Sequence, residues 1–201
     1  MALTGAEAPS ASPIIHGMGE TDEALMLAYA GGDAGAFERL YAKHKGPLFR
    51  YVLRSVKGRG EAEELFQDVW MKVIEARARY APKAKFTTWL YTVAHNRLVD
   101  HWRARGLTVV ASTDDEESGV PEPAAPPSAE PHRISEARET LERLSAALAA
   151  LPLVQREAFL LHHEADLTVA EIAAATGSNE EAAKSRLRYA MNKLREAIGD
   201  D

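Results

Sequence analysis

Aromatic and basic side chains alternate over residues 79–97, which read RYAPKAKFTTWLYTVAHNR. Aromatic rings stack on unpaired bases and basic side chains hold the phosphates between them, so this composition suits single-stranded nucleic acid. A loop over residues 80–88 would have room for a base extruded from a duplex. Phe86 and Trp89 also have a helical spacing that is typical of core residues, so a structural role stays open for both. The candidate contacts are Arg79, Lys83, Lys85, Phe86, Trp89, Tyr91, Asn96, Arg97, His101 and Arg103.

The C-terminal part carries start and stop signals for two consecutive helices. Thr168 with Glu171 and Ser178 with Glu181 predict two capping boxes, and Gly177 between them favours a helix end. A short helix, a tight turn and a longer helix form a helix-turn-helix, whose second helix enters the major groove of duplex DNA. An ordinary solvated helix face would show similar polar residues. The candidate contacts are Ser178, Lys184, Ser185, Arg186, Arg188, Tyr189 and Asn192.

A third candidate site is acidic. Residues 61–70, EAEELFQDVW, predict an amphipathic helix with Glu64, Gln67 and Asp68 on its outer face. Such a face is either a plain solvated surface or a docking surface that meets a basic partner protein and avoids DNA. The sequence leaves both interpretations open.

The net charge of −6 conceals a strong segregation of charge along the chain. Residues 77–106 contain seven Lys or Arg residues and one acid, Asp100, whereas residues 107–135 contain six acids and one base, Arg133. Because phosphate contact depends on local charge, the acidic total does not argue against nucleic acid.

The elements that must position these sites are helices. Apolar residues recur at helical spacing from Thr21 to about Arg105, with a kink or break expected at Gly46-Pro47 and an N-cap at Thr87 or Thr88. Five prolines fall within residues 121–131, beside an acidic cluster, and predict a linker. Helical spacing then resumes until Pro152 stops it. We therefore expect an all-α protein of two small helical domains on a flexible linker.

Several classes of function are disfavoured. The chain has no cysteine, which removes disulfides and thiolate metal sites and fits a cytoplasmic location. No apolar run approaches the ~20 residues of a membrane span, and no signal peptide is recognisable at the N-terminus. His162-His163-Glu164 is the one local cluster that resembles metal ligands, but a helix C-terminus alone accounts for its histidines. We expect no metal, no cofactor, no small-molecule substrate, no catalytic residue and no membrane insertion.

Four segments in order carry a family signature. DAGAFERLY (33–41), AEELFQDVW (62–70), WLYTVAHNRLVDHWR (89–103) and AKSRL (183–187) closely resemble the extracytoplasmic-function (ECF) sigma factors of the sigma-70 superfamily.

The resemblance divides the chain into a tail (1–20), region 2 (21–106), a linker (107–134) and region 4 (135–198). The absence of regions 1 and 3 is typical of the ECF class.

The resemblance implies a role for each site. The helix with Glu64, Gln67 and Asp68 would bind the clamp coiled coil of the β′ subunit of core RNA polymerase. The segment 79–105 would read and melt the −10 element of promoter DNA, and the second helix of the helix-turn-helix would read the −35 element. Region 4 would dock on the β flap, and an anti-sigma factor would be the regulator.

Two departures limit the transfer from the family. Glu181-Ala-Ala183 stands where the family often has Gly-Thr-Val, and Tyr189 stands where an Arg is frequent. Both positions lie on the −35-reading helix, so the promoter sequence cannot be taken from relatives. The main alternative is a stand-alone helix-turn-helix regulator, which would leave the aromatic and basic segment without a role. A protein-docking adaptor that never contacts DNA is a further alternative.

Overall fold

The computed structural model describes residues 20–106 and 132–199, without the side chains of 132–137. These two ranges contain eight α-helices, a 3-10 turn at Arg77–Arg79 and no strand, which confirms the all-α prediction. The helices are α1 (Asp22–Ala30), α2 (Ala34–Ser55), α3 (Arg59–Ala76), α4 (Phe86–Ala104), α5 (His132–Ala150), α6 (Leu153–Ala165), α7 (Val169–Thr176) and α8 (Glu180–Ile198).

Two predicted segments fall wholly or mainly outside the described residues. The tail over residues 1–19 is one, and residues 107–131 of the predicted linker are the other. Helix α5 begins at His132, three residues before residue 135, where region 4 was expected to begin.

Helix α2 runs through the position at which a break was expected. Gly46 and Pro47 both lie inside it, although proline removes one helical hydrogen bond. Leu40 before this point, and Leu48 and Tyr51 after it, have no exposed surface. Packing of this face against neighbouring helices therefore outweighs the local preference for a break.

Helix α4 begins earlier than the sequence indicated. Neither Thr87 nor Thr88 is its N-cap, because the helix starts at Phe86 and its N-cap residue, Lys85, makes no side-chain cap. The carboxylate of Glu23 in α1 accepts the Phe86 backbone N–H instead, with Oε1 2.6 Å from N. A tertiary contact thus supplies the cap that the local sequence lacks.

The helix-turn-helix is formed by α7 and α8. Thr168 and Glu171 make the predicted capping box, and Gly177 ends α7 with φ 65°, a left-handed conformation that favours glycine. The second predicted box is wrong. The N-cap of α8 is Asn179, which accepts from Ala182 N, because the glycine turn carries the chain one residue further before α8 begins.

The N-terminal half (α1–α4) and the C-terminal half (α5–α8) pack against each other. Helix α2 lies against α6, and α4 lies against α7. Buried apolar side chains of both halves belong to one continuous cluster, from Leu25 in α1 to Leu194 in α8. Nothing in the sequence indicated this arrangement.

Candidate nucleic-acid interface

The loop between α3 and α4 and the first turns of α4 form a cleft of about 390 Å³. Tyr80 and Trp89 supply its aromatic wall, with ring centroids 5.1 Å apart in a T-shaped arrangement. Arg79 and Lys83 supply positive charge. The cleft therefore combines ring faces with cations, as single-strand binding requires.

Two residues that line this cleft have a buried hydroxyl group without a hydrogen-bond partner in the part of the chain that the structure describes. They are Tyr80 and Thr88, of which Thr88 is 4% exposed. Burial, and then the nearby Glu23 carboxylate, raise the pKa of Tyr80 to about 12, so its hydroxyl stays protonated at neutral pH. Buried polar groups are normally paired, so these two hydroxyls depart from the usual pattern beside the cleft.

The structure separates the predicted single-strand contacts into surface and core positions. Phe86 and Tyr91 are 0% and 1% exposed, so a direct DNA contact by either side chain is corrected to a packing role. Tyr91 packs edge-on against Tyr51, and Phe86 packs against His44. Trp89 is half-buried, packing on one side while lining the cleft. The exposed candidates are Arg79, Lys83, Lys85, Asn96 and Arg103.

The remaining two candidates of this segment are held by acids from α3. Arg97 pairs with Asp68, with Nη2 2.6 Å from Oδ2. His101 lies 2.9 Å from Glu61, which also pairs with Arg105. These contacts fix α4 to α3 and orient its polar face.

The outer face of α3 is accessible as predicted. Glu64 and Gln67 are exposed and Asp68 is partly exposed, while Leu65 and Val69 face the core. This arrangement presents an acidic surface on a rigid, well-packed helix.

Helix α8 exposes most of the predicted duplex contacts. Lys184, Arg188, Tyr189 and Asn192 are exposed, and Ser185, Arg186 and Ser178 are partly exposed. The Arg188 guanidinium lies over the Tyr189 ring, 5.6 Å from its centroid. Ala183, Ala190 and Leu194 face the core on the opposite side. The predicted contacts therefore lie on the side of α8 that is open to solvent.

A set of polar contacts joins the two halves and was not predicted from the sequence. Glu157 in α6 is 4% exposed and accepts from Tyr51, and Glu164 in α6 pairs with Arg50 and Arg54 in α2. Periodicity places such residues on helix faces but does not indicate which distant helix they meet.

Lys85, a predicted strand contact, is paired in this arrangement. Its Nζ lies 2.9 Å from Oε1 of Glu171, the capping residue of α7. The Thr168 backbone N–H and then the Lys85 ammonium lower the pKa of Glu171, and the same ion pair raises the pKa of Lys85. One carboxylate therefore caps α7 and holds a lysine of the other half.

Two family models match the chain: Sigma-70 region 2 over residues 40–108 and Sigma-70 region 4 over residues 141–194. The chain is 34% identical to RNA polymerase sigma factor CarQ of Myxococcus xanthus, over 87% of this chain and 96% of CarQ. It is also 34% identical to ECF RNA polymerase sigma factor SigL of Mycobacterium tuberculosis, over 83% of this chain and 90% of SigL.

A solved structure has the same fold. It is the sigma factor RpoE of Bartonella quintana, in complex with the anti-sigma factor NepR, with 26% identity and a TM-score of 0.61. The match covers 82% of this chain and 98% of RpoE.

Proposed function

Because the chain belongs to the ECF sigma factors of the sigma-70 family, we propose that its two halves divide promoter recognition between them. A sigma factor directs core RNA polymerase to promoters, and family membership decides for this function over a stand-alone regulator. Residues 21–106 act as region 2 and residues 135–198 as region 4.

Region 2 opens the promoter with the cleft at the start of α4. A base flipped out of the −10 element enters beside Tyr80 and Trp89 and stacks on their rings. Arg79, Lys83 and Lys85 hold the strand backbone. The observation that carries this proposal is the cleft in which the rings of Tyr80 and Trp89 lie beside Arg79 and Lys83.

Region 4 reads the −35 element with α8. Lys184 and Arg188 lie one helical turn apart on its exposed face and reach base edges and phosphates in the major groove. The exposed face of α3, with Glu64, Gln67 and Asp68, binds the β′ clamp coiled coil, and region 4 docks on the β flap.

We also propose that an anti-sigma factor regulates the chain, because the similar sigma factor RpoE is bound to the anti-sigma factor NepR in its solved structure. No helix within residues 20–106 and 132–199 is long and apolar enough to cross a membrane. We propose that the chain works in the cytoplasm, beside the polymerase and the chromosome, and acts by binding without catalysis of its own.

The decisive experiment is transcription in vitro from a library of randomised promoters with core polymerase and this chain. Sequencing of the transcribed templates should yield two preferred elements at a fixed spacing, and permanganate should detect unpaired thymines at the downstream one. Absence of chain-dependent transcription from every template would overturn the proposal.

A further inference from the structure

We infer that Tyr189 positions Arg188, so that the two residues together select one guanine in the upstream promoter element that α8 reads. This inference rests on the proposed function of α8 and deepens it. It names the base that is read, and it assigns the reading to a pair of side chains.

The pair is formed by neighbouring side chains on the solvent side of α8. The Arg188 guanidinium lies over the Tyr189 ring, with Cζ 5.6 Å from the ring centroid. Both residues are exposed, and Tyr189 is 46% exposed. A guanidinium is attracted to the face of an aromatic ring at this distance. The contact therefore restricts the positions that the guanidinium can take.

The Tyr189 ring lies outside the core. The buried side of α8 is formed by Ala183, Ala190 and Leu194. In the part of the chain that the structure describes, the partner of the Tyr189 ring is the Arg188 guanidinium. Removal of the ring should therefore change the behaviour of Arg188 and leave the packing of α8 intact.

The Arg188 guanidinium keeps its donors available for DNA. Among the described residues no carboxylate pairs with it, whereas Lys193 on the same helix pairs with Glu196 at 3.2 Å. Arginine presents its N–H groups as a planar fork that matches the O6 and N7 acceptors of guanine. A carboxylate would occupy this fork, and contact with a ring face does not.

Restriction of the guanidinium favours guanine over the other bases. A freely rotating arginine can turn to a phosphate, or to the single major-groove acceptor of adenine or thymine. It also loses more side-chain freedom when it binds a base. Because the ring limits this rotation in advance, the base that accepts two donors from one fixed fork gains most.

The test is transcription in vitro by core polymerase and the full-length chain, from templates that are randomised upstream. Sequencing of the transcripts' templates gives the base preference at each position. Tyr189→Ala removes the ring, and Tyr189→Phe keeps it. Met191→Ala is the matched control, because it removes another exposed apolar side chain from the same helix.

One upstream position should prefer guanine with the wild-type chain, and Arg188→Ala should abolish this preference. Tyr189→Ala should reduce the preference about fivefold at the same position, whereas Tyr189→Phe and Met191→Ala should retain it. Adding Tyr189→Ala to Arg188→Ala should have no further effect there, since a positioning residue acts only through the residue that it positions.

Nitrogen relaxation of the arginine Nε–H groups in the full-length chain gives a second readout that is independent of transcription. Tyr189→Ala should increase the motion of the Arg188 side chain, and Tyr189→Phe should not. Arg195, an exposed arginine of the same helix, should be unaffected by either change.

Three results would overturn the inference. The first is an equal guanine preference in Tyr189→Ala and in the wild type, and the second is unchanged motion of Arg188 in Tyr189→Ala. The third is a Tyr189→Ala effect that persists in the Arg188→Ala chain, because this would make Tyr189 a base contact in its own right. Failure of the proposed function looks different: the wild-type chain would then show no upstream base preference, and the inference would fall with it.

Discussion

Arg97 and Asp68 form an ion pair between α4 and α3, although sequence analysis assigned them to two different surfaces. Asp68 belongs to the face proposed for the polymerase, and Arg97 belongs to the helix proposed for the −10 strand. A basic polymerase surface that engages Asp68 would compete with Arg97 for its carboxylate. The pair therefore couples the two proposed binding events physically.

Asp68→Arg should weaken binding to core polymerase about tenfold, because a reversed charge at a complementary interface is repelled. The fold should persist, since the residue is partly exposed and the change removes a single ion pair, with Arg97, from a well-packed helix. The measurement is a fluorescence titration of labelled chain with core polymerase. Glu63→Arg, which makes the same charge change on an exposed position of α3, is the control and should leave the affinity nearly unchanged. Equal losses in both variants would assign the effect to net charge alone.

Glu23→Ala should lower the free energy of unfolding by about 1 kcal/mol, because the Glu23 carboxylate accepts the first N–H of α4. Glu23→Gln keeps an acceptor oxygen and should therefore lose less unfolding free energy than Glu23→Ala. Urea unfolding followed by circular dichroism measures both. A Gln variant as unstable as the Ala variant would mean that the charge, rather than the cap, is what matters.

These two contacts show what the sequence reveals and what it does not. Helical spacing and the Thr168–Glu171 box are local, so the helices and the helix-turn-helix were predictable. The Glu23 cap on Phe86 joins residues 63 positions apart, and the Tyr51–Glu157 bond joins residues 106 positions apart. No local pattern encodes such pairings. The predicted Ser178 cap failed by one residue, because turn geometry decides between neighbouring polar residues.

The core position of two aromatic candidates has the same explanation. Composition marked Phe86 and Tyr91 as possible ligands for bases, and helical spacing left a core role open for Phe86. Burial was decided by α1, α2 and α6 packing around α4, which is a tertiary property. The cations on the same segment remained outside because their charge is costly to bury.

The free energy of unfolding should fall as pH drops below about 6.5, the ordinary pKa of histidine. Burial lowers the pKa of His44, with Asp22 opposing the shift in part, so the unfolded chain takes up this proton before the folded chain does. His44→Gln retains a donor for Asp22, which lies 2.9 Å from His44 Nε2, and removes the titration. Urea unfolding at pH 7.5 and at pH 5.5 should show that this variant loses less unfolding free energy between the two pH values than the wild type does. Replacement of exposed His163 by Gln should leave the wild-type loss unchanged.

Glu171→Gln should keep α7 capped, since Gln also serves in a capping box, and should weaken the pairing with Lys85. The lowered pKa of Glu171 contributes stability above its ordinary value of 4.5, and this contribution is lost as pH falls through the lowered value. The wild type should therefore lose more unfolding free energy than the variant between about pH 6 and pH 3. Identical pH profiles would show that the ion pair adds nothing to the folded state.

Arg188→Ala and Lys85→Ala should affect different steps of initiation. Arg188 lies on the exposed face of α8. If its side chain reaches a base edge, its removal should cost ~1–3 kcal/mol of DNA-binding free energy. The preference for particular bases should then relax at one or two upstream positions. Opening of a pre-melted template should be unchanged, because that template needs no upstream reading to separate its strands. Lys85 is exposed and directly follows Ala84, which lines the cleft, so its removal should slow strand opening and leave the upstream base preference intact. Promoter-variant selectivity and permanganate reactivity of unpaired thymines, measured on both variants, give the two readouts. Equal loss of both readouts in both variants would contradict the division between the halves while leaving the family assignment in place.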